Sequence, residues 1–202
     1  MAIVELIGLL LCGLGFWDSA TLELPPKLKL GGIWQFLTNC GIFTTTIFII
    51  VDFLVSKNTT NFYHLVANIE CCITFSYWST FFLYPDSLNG DSFEYDLWLD
   101  VRTHLIPYIY LLCFVDKPRS SFKTSLLLSI FGLGTYWIYI STLMYKHSDL
   151  AYVPYPMLAN KNWWQRLFYL LKFITLSQIN YILQRLKHKI INHYKSKELK
   201  SS

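Results

Sequence analysis

Apolar residues along this chain fall into six blocks of roughly 20 residues, about the length of α-helix that crosses a bilayer. The blocks lie at about 2–17, 32–55, 63–83, 98–115, 124–145 and 164–186. Turn-forming residues fill the connections, as in "LPPKLKLGG", "YPDSLNGD" and "DKPRSS". The pattern predicts an all-α, polytopic membrane protein in which residues 1–202 form a single bundle of six transmembrane helices.

Composition supports a membrane location, because 53% of the residues are hydrophobic and only 15% are charged. A soluble domain carries about 25% charged residues. The first block has a second interpretation as a cleaved signal peptide, since "DSA" at 18–20 resembles a cleavage site. It lacks a preceding basic segment and carries Glu5 instead, so we favour a retained first transmembrane helix.

Lysine and arginine residues are distributed unevenly between the two ends of the predicted bundle. Ten lie at one end: Lys57, Lys117, Arg119, Lys123, Arg185, Lys187, Lys189, Lys195, Lys197 and Lys200. Five lie at the other: Lys27, Lys29, Lys146, Lys161 and Arg166. Because basic residues favour the cytosolic side, the distribution predicts that both termini are cytosolic. Residues 187–202 would then be a basic cytosolic tail, typical of an anchor on anionic membrane lipids.

Polar residues inside the second block share one helical face. Thr38, Gly41, Thr45 and Asp52 are spaced by three, four and seven residues, so we expect this stripe to face other helices. In the fourth block, His104 is the one histidine that falls well inside a predicted span. Thr38 and His104 each lie about 9 Å along their helices from the same side of the membrane. The two side chains are therefore predicted to share a depth.

A hydroxyl beside an imidazole is a minimal pair of nucleophile and base, and Asp100, one turn before His104, is placed to orient the ring. Structural roles account for the same residues, because transmembrane threonines commonly bond their own backbone and a single histidine commonly ties two helices. Glu70 and Lys172 fall at middle depths, where they are expected to pair for structural reasons; a proton-coupled transporter would use the same pair.

Several chemistries are excluded by missing motifs. The sequence has no HExxH, GxSxG, Walker A or GxGxxG pattern, and it has too few histidines for the clusters of membrane di-iron enzymes. We therefore expect no metal, no organic cofactor and no nucleic-acid partner, with membrane lipids as the surroundings. Nothing in the pattern predicts an oligomeric state.

The chain contains the segments "GGIWQFLT" (31–38), "LYPDSL" (83–88), "WLDVRTH" (98–104) and "YVPYPML" (152–158). These four segments resemble the androgen-induced-gene family of membrane proteins, which includes the androgen-dependent regulator of tissue factor pathway inhibitor. "GGIWQFLT" (31–38) is similar to the family signature "GGxWxFLT". "LYPDSL" (83–88), "WLDVRTH" (98–104) and "YVPYPML" (152–158) resemble the family's Tyr-Pro loop, its "WLNHGMHT" segment and its "VYPFL" loop, in the same order. The resemblance implies the same six-span fold.

The resemblance also implies an activity, because members of this family are threonine hydrolases that cleave fatty acid esters of hydroxy fatty acids. The nucleophilic threonine that closes the signature corresponds to Thr38, and the histidine that closes the second segment corresponds to His104. Val101, Arg102 and Asp100 depart from the family pattern. We expect a lipid ester substrate and an endomembrane location such as the endoplasmic reticulum. The alternative is a non-catalytic lipid-binding or scaffold protein with the same fold.

Overall fold

The structure is a computed structural model that describes residues 2–26, 28–55, 58–84, 96–117, 120–150, 152–155 and 158–201. In these ranges the chain forms α-helices joined by turns and short 3₁₀ segments, with no strand. The helices are α1 (Ala2–Thr21), α2 (Leu37–Val55), α3 (Thr60–Leu83), α4 (Leu97–His104), α5 (Ile106–Phe114), α6 (Phe122–Lys146) and α7 (Trp163–Ser201). The predicted all-α fold class is confirmed.

Helix α3 is the centre of the bundle. It packs against α2, α4, α5, α6 and α7, and residues 66–74 are buried without interruption. A helix that is covered on every side can carry polar groups if neighbouring helices satisfy them. This explains how α3 accommodates the fully buried Asn68, which is hydrogen-bonded to Ser125, Ser129 and Asn180 on neighbouring helices.

Within the described ranges, three helices are long and apolar enough to cross a membrane, at Ile3–Thr21, Leu37–Val55 and Phe122–Lys146. Large apolar side chains on their outer faces are exposed, such as Leu54 (72%) and Phe131 (68%). Such surfaces suit hydrocarbon rather than water. The chain is therefore a membrane protein. The helices α3 and α7 carry more polar residues, and α4 and α5 are each too short to cross alone.

The predicted fourth span, about 98–115, is divided in the structure into α4 and α5. Pro107 causes the division, because proline lacks a backbone N–H and its ring clashes with the carbonyl four residues earlier, here that of Thr103. Leu105 leaves the helical conformation, with φ −126° and ψ −51°. His104 consequently ends α4 at a break in the helix, with its side chain near the start of α2.

Two other helix ends differ from the sequence pattern. The second block starts at about 32, but residues Ile33–Gln35 form a 3₁₀ turn and α2 begins at Leu37, so Thr38 lies in its first turn. The last helix was expected to end near 186, but α7 runs to Ser201. It contains no glycine or proline to stop it. Residues 85–88 of the "LYPDSL" segment lie outside the described ranges.

The polar stripe on α2 faces other helices, as predicted. Thr45 Oγ1 donates to Glu70 Oε1 on α3 at 2.7 Å, and Asp52 forms an ion pair with Lys117 after α5. The predicted pairing of Glu70 with Lys172 is wrong. Lys172 lies on the exposed side of α7, with its Nζ 4.8 Å from the centre of the Phe168 ring. Equal depth in the membrane does not bring two residues together when their helical faces differ.

Candidate active site

Thr38 and His104 meet where the first turn of α2 lies beside the last turn of α4. Thr38 Oγ1 is 3.1 Å from His104 Nε2, which is hydrogen-bonding distance. Both side chains are largely shielded, since the imidazole is 16% exposed and the contact itself is partly buried. The arrangement places a hydroxyl in contact with a potential base in surroundings with little water.

The partners of His104 Nδ1 determine which ring nitrogen carries the proton. Nδ1 is 2.9 Å from Thr103 Oγ1 and 3.3 Å from the backbone oxygen of Asp100. The Thr103 hydroxyl donates its own proton to the Leu99 carbonyl at 2.9 Å, so its oxygen accepts from the ring. A backbone oxygen can only accept. We therefore assign the proton to Nδ1, which leaves the Nε2 lone pair directed at the Thr38 hydroxyl.

A tyrosine from α3 holds the imidazole from its face. The rings of Tyr77 and His104 are stacked, with centroids 3.6 Å apart and planes inclined by 11°. Tyr77 also hydrogen-bonds the Asp100 side chain. The Asp100 carboxylate lies 3.6 Å from Nδ1, beyond a direct hydrogen bond. Asp100 therefore contacts the ring mainly through its backbone oxygen.

Sequence reasoning missed Thr103 and Tyr77 as members of this site. Thr103 is adjacent to His104 in the chain and almost fully buried, at 2% exposure. The signal available in the sequence was a threonine directly before the histidine. Tyr77 reaches the site from a different helix, and its aromatic pattern was indistinguishable from ordinary packing.

A cluster of tyrosines fixes the segment that precedes Thr38. The Tyr155 hydroxyl accepts a hydrogen bond from the Leu37 backbone N–H at 2.6 Å, and the Tyr136 hydroxyl donates to the Gln35 backbone oxygen at 2.6 Å. The Tyr152 hydroxyl donates to the Gln35 side-chain oxygen. Burial raises the pKa of Tyr155 to about 12, so its hydroxyl stays neutral at physiological pH. The "YVPYPML" loop thus holds the start of α2, although its residues 156 and 157 lie outside the described ranges.

The two glycines of "GGIWQFLT" are required for different structural reasons. A Cβ on Gly31 would lie 2.2 Å from the Tyr152 hydroxyl oxygen, so a side chain there would displace the tyrosine. Gly32 has φ +61°, a conformation that glycine adopts at little cost. Gln35 Nε2 then closes the turn by donating to the backbone oxygens of Leu28 and Gly32 at 2.5 and 2.7 Å.

Asn39 follows Thr38 directly in the chain, but both polar atoms of its side chain are hydrogen-bonded within the protein. Its side-chain oxygen accepts from Ser19 Oγ at 2.6 Å, and its Nδ2 donates to the Ile33 oxygen at 3.0 Å. The side chain is 1% exposed. Asn39 therefore ties α1 to the turn before α2. Nearby, the Trp34 ring packs against those of Phe16 and Phe43, with centroids 5.9 and 5.2 Å away.

Helix α1 closes the site from a third side. Asp18 near its end forms an ion pair with Arg102 on α4, and Arg102 also lies over the Trp98 ring at 5.7 Å. Gly15 approaches closely, since a Cβ there would lie 3.2 Å from the Arg102 backbone oxygen. Arg102, a departure from the family pattern, thus holds α1 against α4.

Among the described residues, no group of three or more His, Cys, Asp or Glu side chains is placed to hold a metal ion.

Comparison with known proteins identifies a family for the chain. No curated protein and no solved structure matched the chain. A family model described as FAR-17a/AIG1-like protein matches residues 1–188, in agreement with the resemblance of the four segments. The chain belongs to the FAR-17a/AIG1-like family.

Proposed function

We propose that this protein is an intramembrane threonine hydrolase that cleaves lipid esters, with Thr38 as nucleophile and His104 as general base. The observation that carries the proposal is the 3.1 Å contact between Thr38 Oγ1 and His104 Nε2. An alcohol is a weak nucleophile until a neighbouring base removes its proton. The proton on Nδ1 and the free Nε2 give His104 the tautomer that this step requires.

The first step forms an acyl-enzyme. His104 Nε2 takes the hydroxyl proton as Thr38 Oγ1 attacks the ester carbonyl carbon, and the carbonyl π electrons move to its oxygen. When the tetrahedral intermediate collapses, the bond to the leaving alkoxide breaks and His104 returns the proton to it. The products of this step are a free alcohol and an ester between the acyl group and Thr38.

The oxyanion in each step needs a hydrogen-bond donor that is already in place. First-turn amides of a helix have no acceptor within the helix and carry its positive dipole end. In α2 the Leu37 amide donates to Tyr155 and those of Asn39 and Cys40 donate to the Phe36 oxygen. We assign the oxyanion to the backbone N–H of Thr38 itself.

A long-chain ester suits these surroundings. The helices around the site expose apolar side chains such as Phe43 and Trp34, which can contact an acyl chain. Family membership supports fatty acid esters of hydroxy fatty acids as the substrate class. The mechanism uses no metal ion or organic cofactor.

The proposal includes an arrangement in the membrane. We infer six spans, with α4 and α5 together forming the fourth and both termini in the cytosol. Thr38 and His104 would then lie towards the side opposite the termini. The ratio of ten basic residues to five between the two ends supports this orientation. An endomembrane, such as that of the endoplasmic reticulum, is the proposed location.

Fluorophosphonate labelling of the purified protein tests the function. Wild type should be labelled and should hydrolyse a hydroxy-fatty-acid ester, whereas Thr38→Ala should do neither. A Thr38→Ala protein that retains full hydrolysis would favour the alternative of a non-catalytic scaffold and a contaminating esterase.

A further inference from the structure

Polar atoms on α3 that are buried without a hydrogen-bond partner among the described residues include Glu70 Oε2 and Thr74 Oγ1. Glu70 and Thr74 lie one helical turn apart. Glu70 is 0% exposed and Thr74 is 7% exposed. The other carboxyl oxygen of Glu70 accepts a hydrogen bond from Thr45. One oxygen of the side chain is therefore hydrogen-bonded within the protein and the other is not. Buried polar atoms are normally paired, and each exception requires an explanation.

The two atoms belong to the same face of α3 as the active site. Glu70, Thr74 and Tyr77 follow the spacing i, i+4, i+7, which places them in one row. Tyr77 at the end of this row stacks on His104. Thr74 is three residues from Tyr77, or about 4.5 Å along the helix axis. The row therefore runs from the bundle interior to the imidazole.

The opposing helix approaches this row closely, which brings the helix that carries Thr38 against it. Gly41 on α2 is one turn beyond Thr38 and has no side chain, and a Cβ there would lie 3.0 Å from Glu70 Oε1 and 2.3 Å from Ile73 Cδ1. Side chains at i and i+4 have Cβ atoms about 5–6 Å apart. That separation is one that a single water molecule bridges by bonding to Glu70 Oε2 and Thr74 Oγ1, and buried water is the usual partner of polar atoms that the protein leaves unpaired.

We propose that Glu70 and Thr74 bind a water molecule that supplies the second step of the reaction, the hydrolysis of acyl-Thr38. This inference rests on the proposed function, because it requires an acyl-enzyme at Thr38. A hydrolase whose nucleophile lies among apolar side chains needs a source of water that does not pass through lipid. The row of Glu70, Thr74 and Tyr77 provides one inside the bundle.

Hydrolysis of the ester at Thr38 consumes one water molecule and regenerates both Thr38 and His104. The water oxygen forms a bond to the acyl carbonyl carbon while His104 Nε2 takes one water proton. The bond between that carbon and Thr38 Oγ1 then breaks, and His104 returns the proton to Thr38 Oγ1. The products are the free fatty acid and the original enzyme, with no further reactant.

Competition between water and an added alcohol tests the site directly. The purified full-length protein is given a p-nitrophenyl ester and a fixed concentration of methanol, and the ratio of methyl ester to free fatty acid is measured. Both products come from the same acyl-enzyme, so the ratio depends neither on the amount of folded protein nor on the rate of acylation.

Thr74→Val keeps the shape of the side chain and removes the hydroxyl. We expect it to raise the ratio of methyl ester to acid by about fivefold or more, since a weakly bound water competes less well. Thr74→Ser should restore the wild-type ratio. The matched control is Thr80→Val on the same helix, because the Thr80 hydroxyl donates to the Ser76 carbonyl at 2.8 Å. Its ratio should equal that of wild type.

An unchanged ratio in Thr74→Val would overturn the water site. The same would follow if Thr80→Val changed the ratio as much as Thr74→Val, because the effect would then be general to α3. These outcomes differ from a failure of the proposed function, which would appear as product formation that persists in Thr38→Ala.

Discussion

At the scale of single residues, the proposed chemistry depends on one hydroxyl, that of Thr38. Thr38→Ala should lower hydrolysis by about a thousandfold or more, because no other oxygen occupies that position. Thr38→Ser should keep part of the activity, since it preserves the hydroxyl while losing the methyl group that restricts its rotamers. Ester hydrolysis by the purified variants, compared at equal protein concentration, is the measurement.

The control for Thr38→Ala is another threonine of α2. Thr46 bonds its own backbone through the Ile42 oxygen at 2.8 Å and touches neither His104 nor Glu70 in the described contacts. Thr46→Ala should remain active. Equal losses in the two variants would indicate that α2 is merely sensitive to substitution, which would count against the nucleophile.

Under the proposed function, Thr103 would act as a positioning residue, because its hydroxyl contacts His104 Nδ1. Thr103→Val removes the acceptor at 2.9 Å from Nδ1. Losing one hydrogen bond of about 1–1.5 kcal/mol corresponds to about a tenfold lower kcat. KM should change little, since substrate contacts are intact, and Thr103→Ser should restore kcat. A rise in KM with unchanged kcat would assign Thr103 to substrate binding instead.

At the scale of elements, the start of α2 depends on the tyrosines that hold it. Gly31→Ala places a Cβ where the Tyr152 hydroxyl lies, so Tyr152 must move and lose its bond to Gln35. Overpacking of this kind costs about 1–3 kcal/mol. We expect a lower unfolding temperature and weaker hydrolysis together. Gly134→Ala in α6 is the control, because no atom lies within 4 Å of its added Cβ.

The sequence best predicts those features of the architecture that depend only on residue spacing along a helix. Helical periodicity is enough to show that Thr45 and Asp52 face neighbouring helices, and counting residues along two helices brings Thr38 and His104 to one level. The rotation of each helix about its own axis relative to its neighbours is not predicted in this way, because it depends on packing among all the helices. For this reason the pairing of Glu70 with Lys172 was wrong.

The break before Pro107 and the role of Tyr77 illustrate two kinds of missing information. Proline is a visible local signal, and its clash with the carbonyl of Thr103 explains the break from covalent geometry alone. The stacking of Tyr77 on His104 depends on how α3 and α4 approach each other. No local pattern in either segment specifies that approach.

At the scale of the whole molecule, the two ends of the bundle differ in chemistry. Thr38 and His104 lie at one end. At the other, Asp52 pairs with Lys117, and Lys187 Nζ donates to the Val115 oxygen at 2.7 Å. The helix α7 continues from there into the basic segment. The candidate active site and the basic segment of α7 thus lie at opposite ends of the bundle.

This separation leads to a prediction about topology. In sealed microsomes, a tag fused after residue 202 should be cut by added protease, because the basic end of α7 is attracted to the cytosolic face. A tag before residue 1 should be cut as well, since the six spans that we propose would return the chain to its starting side. A lumenal marker protein that stays intact serves as the control for sealed vesicles. Protection of the C-terminal tag in the same vesicles would contradict the orientation, and cleavage of only one of the two tags would contradict an even number of spans.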